Sequence, residues 1–81
     1  MKNKLTFRKQ IYKRTGTNEI VSFFWNVYID RVILHNTYIY SYPEYPENFR
    51  SFYKNEDICC FKSLIEAKQY LVKYINEHYN T

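Results

Sequence analysis

A period of two in side-chain character is the strongest constraint on what this chain can fold into. In KLTFRKQIYKR, Leu5, Phe7 and Ile11 alternate with Arg8, Gln10 and Tyr12. In IVSFFWNVYI, Val21, Phe23, Trp25, Val27 and Ile29 alternate with Ser22, Phe24, Asn26 and Tyr28. VILHNTYIYSY continues the theme with β-branched and aromatic residues. Successive residues of a strand point to opposite faces, so these stretches predict three consecutive strands. TGTNE, which holds the only glycine, marks the first turn, and Asp30-Arg31 fits a two-residue hairpin loop.

A single register gathers the apolar residues. With Asp30-Arg31 as the loop, Ile29 faces Val32, Val27 faces Leu34 and Phe23 faces Tyr38. With Arg14 opposite Ile20, Phe7 faces Val27 and Ile11 faces Phe23. One face then collects Leu5, Phe7 and Ile11, the odd residues from Val21 to Ile29, and Val32, Leu34, Tyr38 and Tyr40. A slip of one residue would scatter that set between core and solvent. Lys9 falls among them, with its stem expected over Trp25 and its ammonium reaching water. The other face takes Arg8, Gln10, Tyr12, Arg14, Phe24, Asn26, Tyr28, Ile33, His35 and Ile39.

Toward the C-terminus, Ser63 and Glu66 in SLIE form a capping box. Leu64, Ala67, Leu71, Tyr74, Ile75 and His78 follow at helical spacing, a stripe that must be buried on the sheet. A short strand is expected near residues 58–61. The predicted fold class is α+β. It is a small single domain over residues 1–81, an antiparallel three-to-four-stranded sheet with one C-terminal helix packed on one face, in the order βββ-loop-β-α.

The connection from Pro43 to Asp57 opens with SYPEYPE, in which Tyr-Pro-Glu occurs twice. A residue before proline is pushed into extended conformations, so Tyr42 and Tyr45 should be extended, with either isomer open to the bonds that follow them. Continued as polyproline II, the ribbon would show Tyr42 and Tyr45 along one edge and Glu44 and Glu47 along another. ENFRSFYK reads as a turn or two of helix, with Phe49 and Phe52 plugging the edge of the core. Long loops are often functional.

Composition narrows the functional classes. The chain has 81 residues and a net charge of +4, with ten Tyr, six Phe and one Trp. Aromatic bulk suits a chain this short, which buries only ~60% of its unfolded surface. The excess of Phe, Tyr, Ile, Asn and Lys over Gly, Ala, Arg and Pro matches AT-rich coding, as in low-GC bacteria and their phages or plasmids. Lys2, Lys4, Arg8, Lys9, Lys13 and Arg14 crowd the first strand region without an acid, so that edge can meet phosphate or an acidic surface. Cys59 and Cys60 are adjacent, which suits neither a disulfide framework nor a zinc site. The charged N-terminus has no apolar core of a signal peptide, and no apolar run approaches ~20 residues, so a cytoplasmic protein without a membrane partner is expected. His35 and His78 lack ligand spacing, one glycine cannot make a phosphate loop, and no nucleophile elbow is present. The expectation is a non-enzyme without metal or cofactor.

What remains is a surface. Arg8, Tyr12, Arg14, Phe24, Asn26, Tyr28 and His35 are the candidate binding residues of the sheet face, and Tyr42, Glu44, Tyr45 and Glu47 those of the loop. A single helix leaves that face open, and exposed aromatic patches mark interfaces, with a partner or a homodimer. In size and profile the chain resembles the anti-CRISPR proteins and other small phage antagonists of host defence. That resemblance implies an inhibitor acting on a host protein or ribonucleoprotein complex in the host cytoplasm. Three strands followed by a helix opening near CFKSLIEAKQYL also resemble the arm-binding domain of phage-type tyrosine integrases. This second resemblance implies a nucleic-acid partner, with Arg8, Tyr12, Arg14, Asn26 and Tyr28 near DNA.

Overall fold

The computed structural model describes residues 4–79. Five strands, β1 (Leu5–Lys13), β2 (Ile20–Ile29), β3 (Val32–Tyr42), β4 (Tyr45–Tyr53) and β5 (Glu56–Phe61), form one antiparallel sheet in sequential order. Helix α1 (Leu64–His78) packs on one face. The architecture is α+β, as expected, but with five strands rather than three to four.

The first hairpin has the predicted register, with Phe7 opposite Val27 and Ile11 opposite Phe23. At its tip the expectation fails by one residue. A register shift after Tyr12 sets Lys13 opposite Ile20, and the Arg14 N–H donates instead to the Glu19 carbonyl at 2.9 Å. Asp30 and Arg31 form the predicted two-residue loop, both with positive φ (49° and 75°), the combination that matches the twist of paired strands.

The second hairpin departs further. Ile29 pairs Val32 and Tyr28 pairs Ile33, but Asn26 then pairs Tyr38. β3 therefore holds three more residues than β2 across this interval, and an odd excess inverts which face each later side chain takes. Tyr38 and Tyr40, expected in the core, lie on the opposite face, and Ile39, expected outside, is fully buried. Phe23 pairs Ser41, not Tyr38. Asn36 supports the detour in a left-handed conformation (φ 59°), which asparagine tolerates better than most residues.

The 43–57 connection is not a loop. Pro43 and Glu44 turn the chain, and the stretch read as polyproline ribbon and helix is β4, both X-Pro bonds being trans. Lys54 and Asn55 (φ 50° and 71°) make a two-residue loop of the same left-handed kind as Asp30-Arg31. This loop docks on the β3 detour: the Asn55 N–H donates to the Asn36 carbonyl at 2.8 Å, and the Lys54 N–H to Thr37 Oγ1 at 3.2 Å. Phe49 packs against the core, with its ring 5.8 Å from that of Trp25, while Phe52 faces the other way.

The core joins Trp25, Val27, Ile29, Ile39 and Tyr53 of the sheet to Ala67, Leu71 and Ile75 of α1. The helix begins as its sequence predicts, with Ser63 as N-cap and its Oγ accepting the Glu66 N–H at 3.2 Å. From the helix, the Lys68 ammonium reaches across to the Phe7 ring of β1 (5.4 Å). Val21, expected in the core, is 43% exposed because it lies at the hairpin end beyond the helix. The Lys9 ammonium itself lies over the Phe23 ring (4.7 Å) and farther from Trp25 (5.7 Å), in place of the expected arrangement of stem over Trp25 and ammonium in water.

Ser51 is fully buried and its hydroxyl has no hydrogen-bond partner. Ser51→Ala should therefore raise stability by about 1 kcal/mol, since an unpaired buried hydroxyl costs roughly that or more; urea unfolding would show it, and a loss would mean the hydroxyl is satisfied. Thr37→Val, which removes the part-buried acceptor of the Lys54 N–H, should cost about 0.5–1.5 kcal/mol in the same assay.

Candidate binding face

The sheet face opposite α1 carries a continuous row of aromatic rings. It starts at Tyr12 of β1, whose ring meets Phe24 of β2 edge-on at 4.8 Å. Phe24 contacts Tyr38 and Tyr40 of β3 at 5.4 and 5.8 Å. Those two contact Phe52 of β4 at 5.1 and 5.4 Å, and Tyr40 meets Tyr42 at 5.3 Å. Aromatic pairs at such spacings contribute ~0.5–1.5 kcal/mol each beyond the area they bury. The middle of the row is half-buried by its own members, while Tyr12 (48%) and Tyr42 (40%) remain open to solvent.

Polar groups frame the row. Along β1 and β2, the Arg8 guanidinium lies 4.7 Å from the Tyr28 ring centre, and the Asn26 amide donates to Gln10 at 3.2 Å. At the β4–β5 side, Arg50 pairs with Asp57 at 3.1 Å, and the Cys60 thiol donates to Asn48 at 2.6 Å. The Asp57 carboxylate, and after it the Tyr40 phenol, raise the Arg50 guanidinium above its ordinary range. Burial, then the neighbouring Tyr40, raises the phenol of Tyr38 above 10. Tyr42 moves the same way for the same leading reason.

Arg8, Tyr12, Phe24, Asn26 and Tyr28 are thus brought together as the alternation predicted. Arg14 is not among them; it sits at the hairpin tip, paired with Glu19 at 3.4 Å. His35 is exposed in the β3 detour and makes no ring contact with the row. Tyr42 joins the row, and Tyr45, opposite it across the turn, is 61% exposed. Glu44 and Glu47 are exposed in the turn and the start of β4.

Tyr38, Tyr40, Arg50 and Phe52 were not assigned to this face from sequence. The inversion at Asn36 hid the first two, and the helical reading of ENFRSFYK hid the others. A usable signal was present in TYIYSY: Thr37, Ile39 and Ser41 alternate with three tyrosines, so one face must be entirely tyrosine. Among the described residues no group of three or more His, Cys, Asp or Glu side chains could hold a metal ion. No described helix is long and apolar enough to cross a membrane.

Fold and face together define a small α+β protein: a five-stranded antiparallel meander, backed by one helix, with an open aromatic side. No known family model, curated protein or solved structure matches the chain.

A phenol whose pKa is raised on folding holds its proton more tightly in the native state. Its stabilising share is intact below the unfolded value near 10 and is lost as pH rises through the folded one. Stability should therefore fall above pH ~10, and Tyr38→Phe should flatten that decline in chemical unfolding measured at several alkaline pH values.

Proposed function

We propose that this chain is a non-enzymatic, protein-directed binding module that acts through the aromatic side of its sheet. The most specific form of the proposal is an inhibitor encoded by a phage or mobile element, directed at a host defence protein or ribonucleoprotein complex. The observation that carries it is the uncovered row from Tyr12 to Phe52, flanked by Arg8 and Asn26. Tyrosine and arginine dominate interface hot spots because each offers large contact area with a polar handle.

The charge of the face favours protein over nucleic acid. Arg50 is paired with Asp57 and Arg14 with Glu19, leaving Arg8 as the guanidinium beside the row without a carboxylate partner. Nucleic-acid affinity rests largely on phosphate contacts, and one free guanidinium supports few of them. Stacking of bases on the row would have to proceed without that electrostatic contribution.

Tyr12→Ala combined with Tyr42→Ala tests the proposal, because both rings are solvent-open and their loss should leave the melting temperature within a few degrees. Immobilised protein should retain a stoichiometric partner from a low-GC host extract, and the double variant should lose it by about tenfold or more, as hot-spot truncations do. Retention by the variant would place the contact elsewhere. A mobility shift of single-stranded or duplex DNA at moderate salt would favour the nucleic-acid reading instead.

A further inference from the structure

We infer that the free edge of β1 is a second binding site, which accepts an extended acidic segment of a partner as a sixth strand. The phase of the ladder identifies its hydrogen-bonding groups. The Asp30 N–H donates to the Lys4 carbonyl, so even-numbered residues of β1 bond across to β2. Leu5, Phe7, Lys9 and Ile11 consequently turn their N–H and carbonyl groups outward, and no described residue bonds to them. The opposite edge offers less: β5 is shorter, and its Asp57 and Cys60 are already engaged by Arg50 and Asn48.

Charge specifies the occupant. Lys4, Arg8, Lys9 and Lys13 stand along this edge, and none has a carboxylate partner among the described residues. At the lower end of β1, a cavity of about 420 Å³ is lined by Lys4, Thr6, Phe7, Arg8, Asp30 and Arg31. Three of those side chains are cationic and one is anionic, so it suits a carboxylate anchor. A second copy fits poorly, because antiparallel β1 strands would set lysines and Arg8 against like charges. The two sides of the edge also differ. Thr6, Arg8, Gln10 and Tyr12 line one, while Phe7 and the 46%-exposed Ile11 line the other with Lys9, whose ammonium is turned over the Phe23 and Trp25 rings. The matching segment alternates carboxylate and aliphatic side chains, with main-chain bonds giving affinity and side chains giving selectivity.

The probe is a capped nine-residue peptide alternating Glu and Val, added to the ¹⁵N-labelled chain. Amide exchange at Leu5, Phe7, Lys9 and Ile11 should slow by about tenfold or more, with Thr6, Arg8 and Gln10 unchanged. The same peptide N-methylated at alternate residues, or with Lys for Glu, should bind about tenfold more weakly or not at all. Lys9→Pro removes an outward N–H together with one edge cation, whereas Lys9→Ala removes the cation alone; Lys9→Pro should weaken binding further than Lys9→Ala without unfolding the sheet. Exchange unaltered by the Glu-Val peptide, or equal binding of the N-methylated form, would overturn the inference. So would protection of the four amides without peptide in a protein that sediments as a dimer, which would give the edge to a second copy. The Tyr42→Ala single variant, which alters the aromatic row on β3 and leaves the β1 edge intact, should still bind the peptide, so failure of the aromatic-face reading is seen separately.

Discussion

The contact on which the rest of the structure depends is the docking of the Lys54–Asn55 turn onto the detour in β3. Two hydrogen bonds fasten it, to the Asn36 carbonyl and to Thr37 Oγ1. Thr37 is 1% exposed, and its part-buried hydroxyl both accepts from the Lys54 N–H and donates to the His35 carbonyl at 3.3 Å. The detour's odd residue count moves Ile39 under the helix and brings Tyr38 and Tyr40 to the far side. Without it, β3 would bury two phenols and present an isoleucine to solvent. The contribution of β3 to both the core and the binding face is thus decided at one bulge.

Much of this was readable from alternation. The β1–β2 register, the Asp30-Arg31 loop, the core positions of Trp25, Val27 and Ile29, the Ser63 cap and the buried stripe of α1 all follow from periods of 2 and 3.6. What alternation cannot carry is a change of phase. A bulge leaves hydrophobicity locally regular on either side, and only the tolerance of Asn36 for positive φ hints at it. Similarly, Phe49, Phe52 and Tyr53 allow a helical spacing, while the structure sorts them to two faces of β4. Lys54-Asn55 lacks the glycine that usually advertises such a loop.

The candidate face was half legible for the same reason. Its β1 and β2 members lie before the phase change, and Arg8, Tyr12, Phe24, Asn26 and Tyr28 were placed together. Its β3 and β4 members lie after it. Arg14 and His35 fell away because each sits where the ladder departs from regularity, one at the hairpin tip and one in the detour.

The ring-to-ring row has a thermodynamic corollary for recognition. Each inner ring is wedged by neighbours on adjacent strands, so its torsions are restricted before any ligand arrives. Immobilising a side chain at an interface ordinarily costs ~0.5–1.5 kcal/mol, and here most of that ordering is already complete in the unbound protein. Phe24, Tyr38, Tyr40 and Phe52 form a stiff template whose shape, rather than whose adaptability, would select what settles on it.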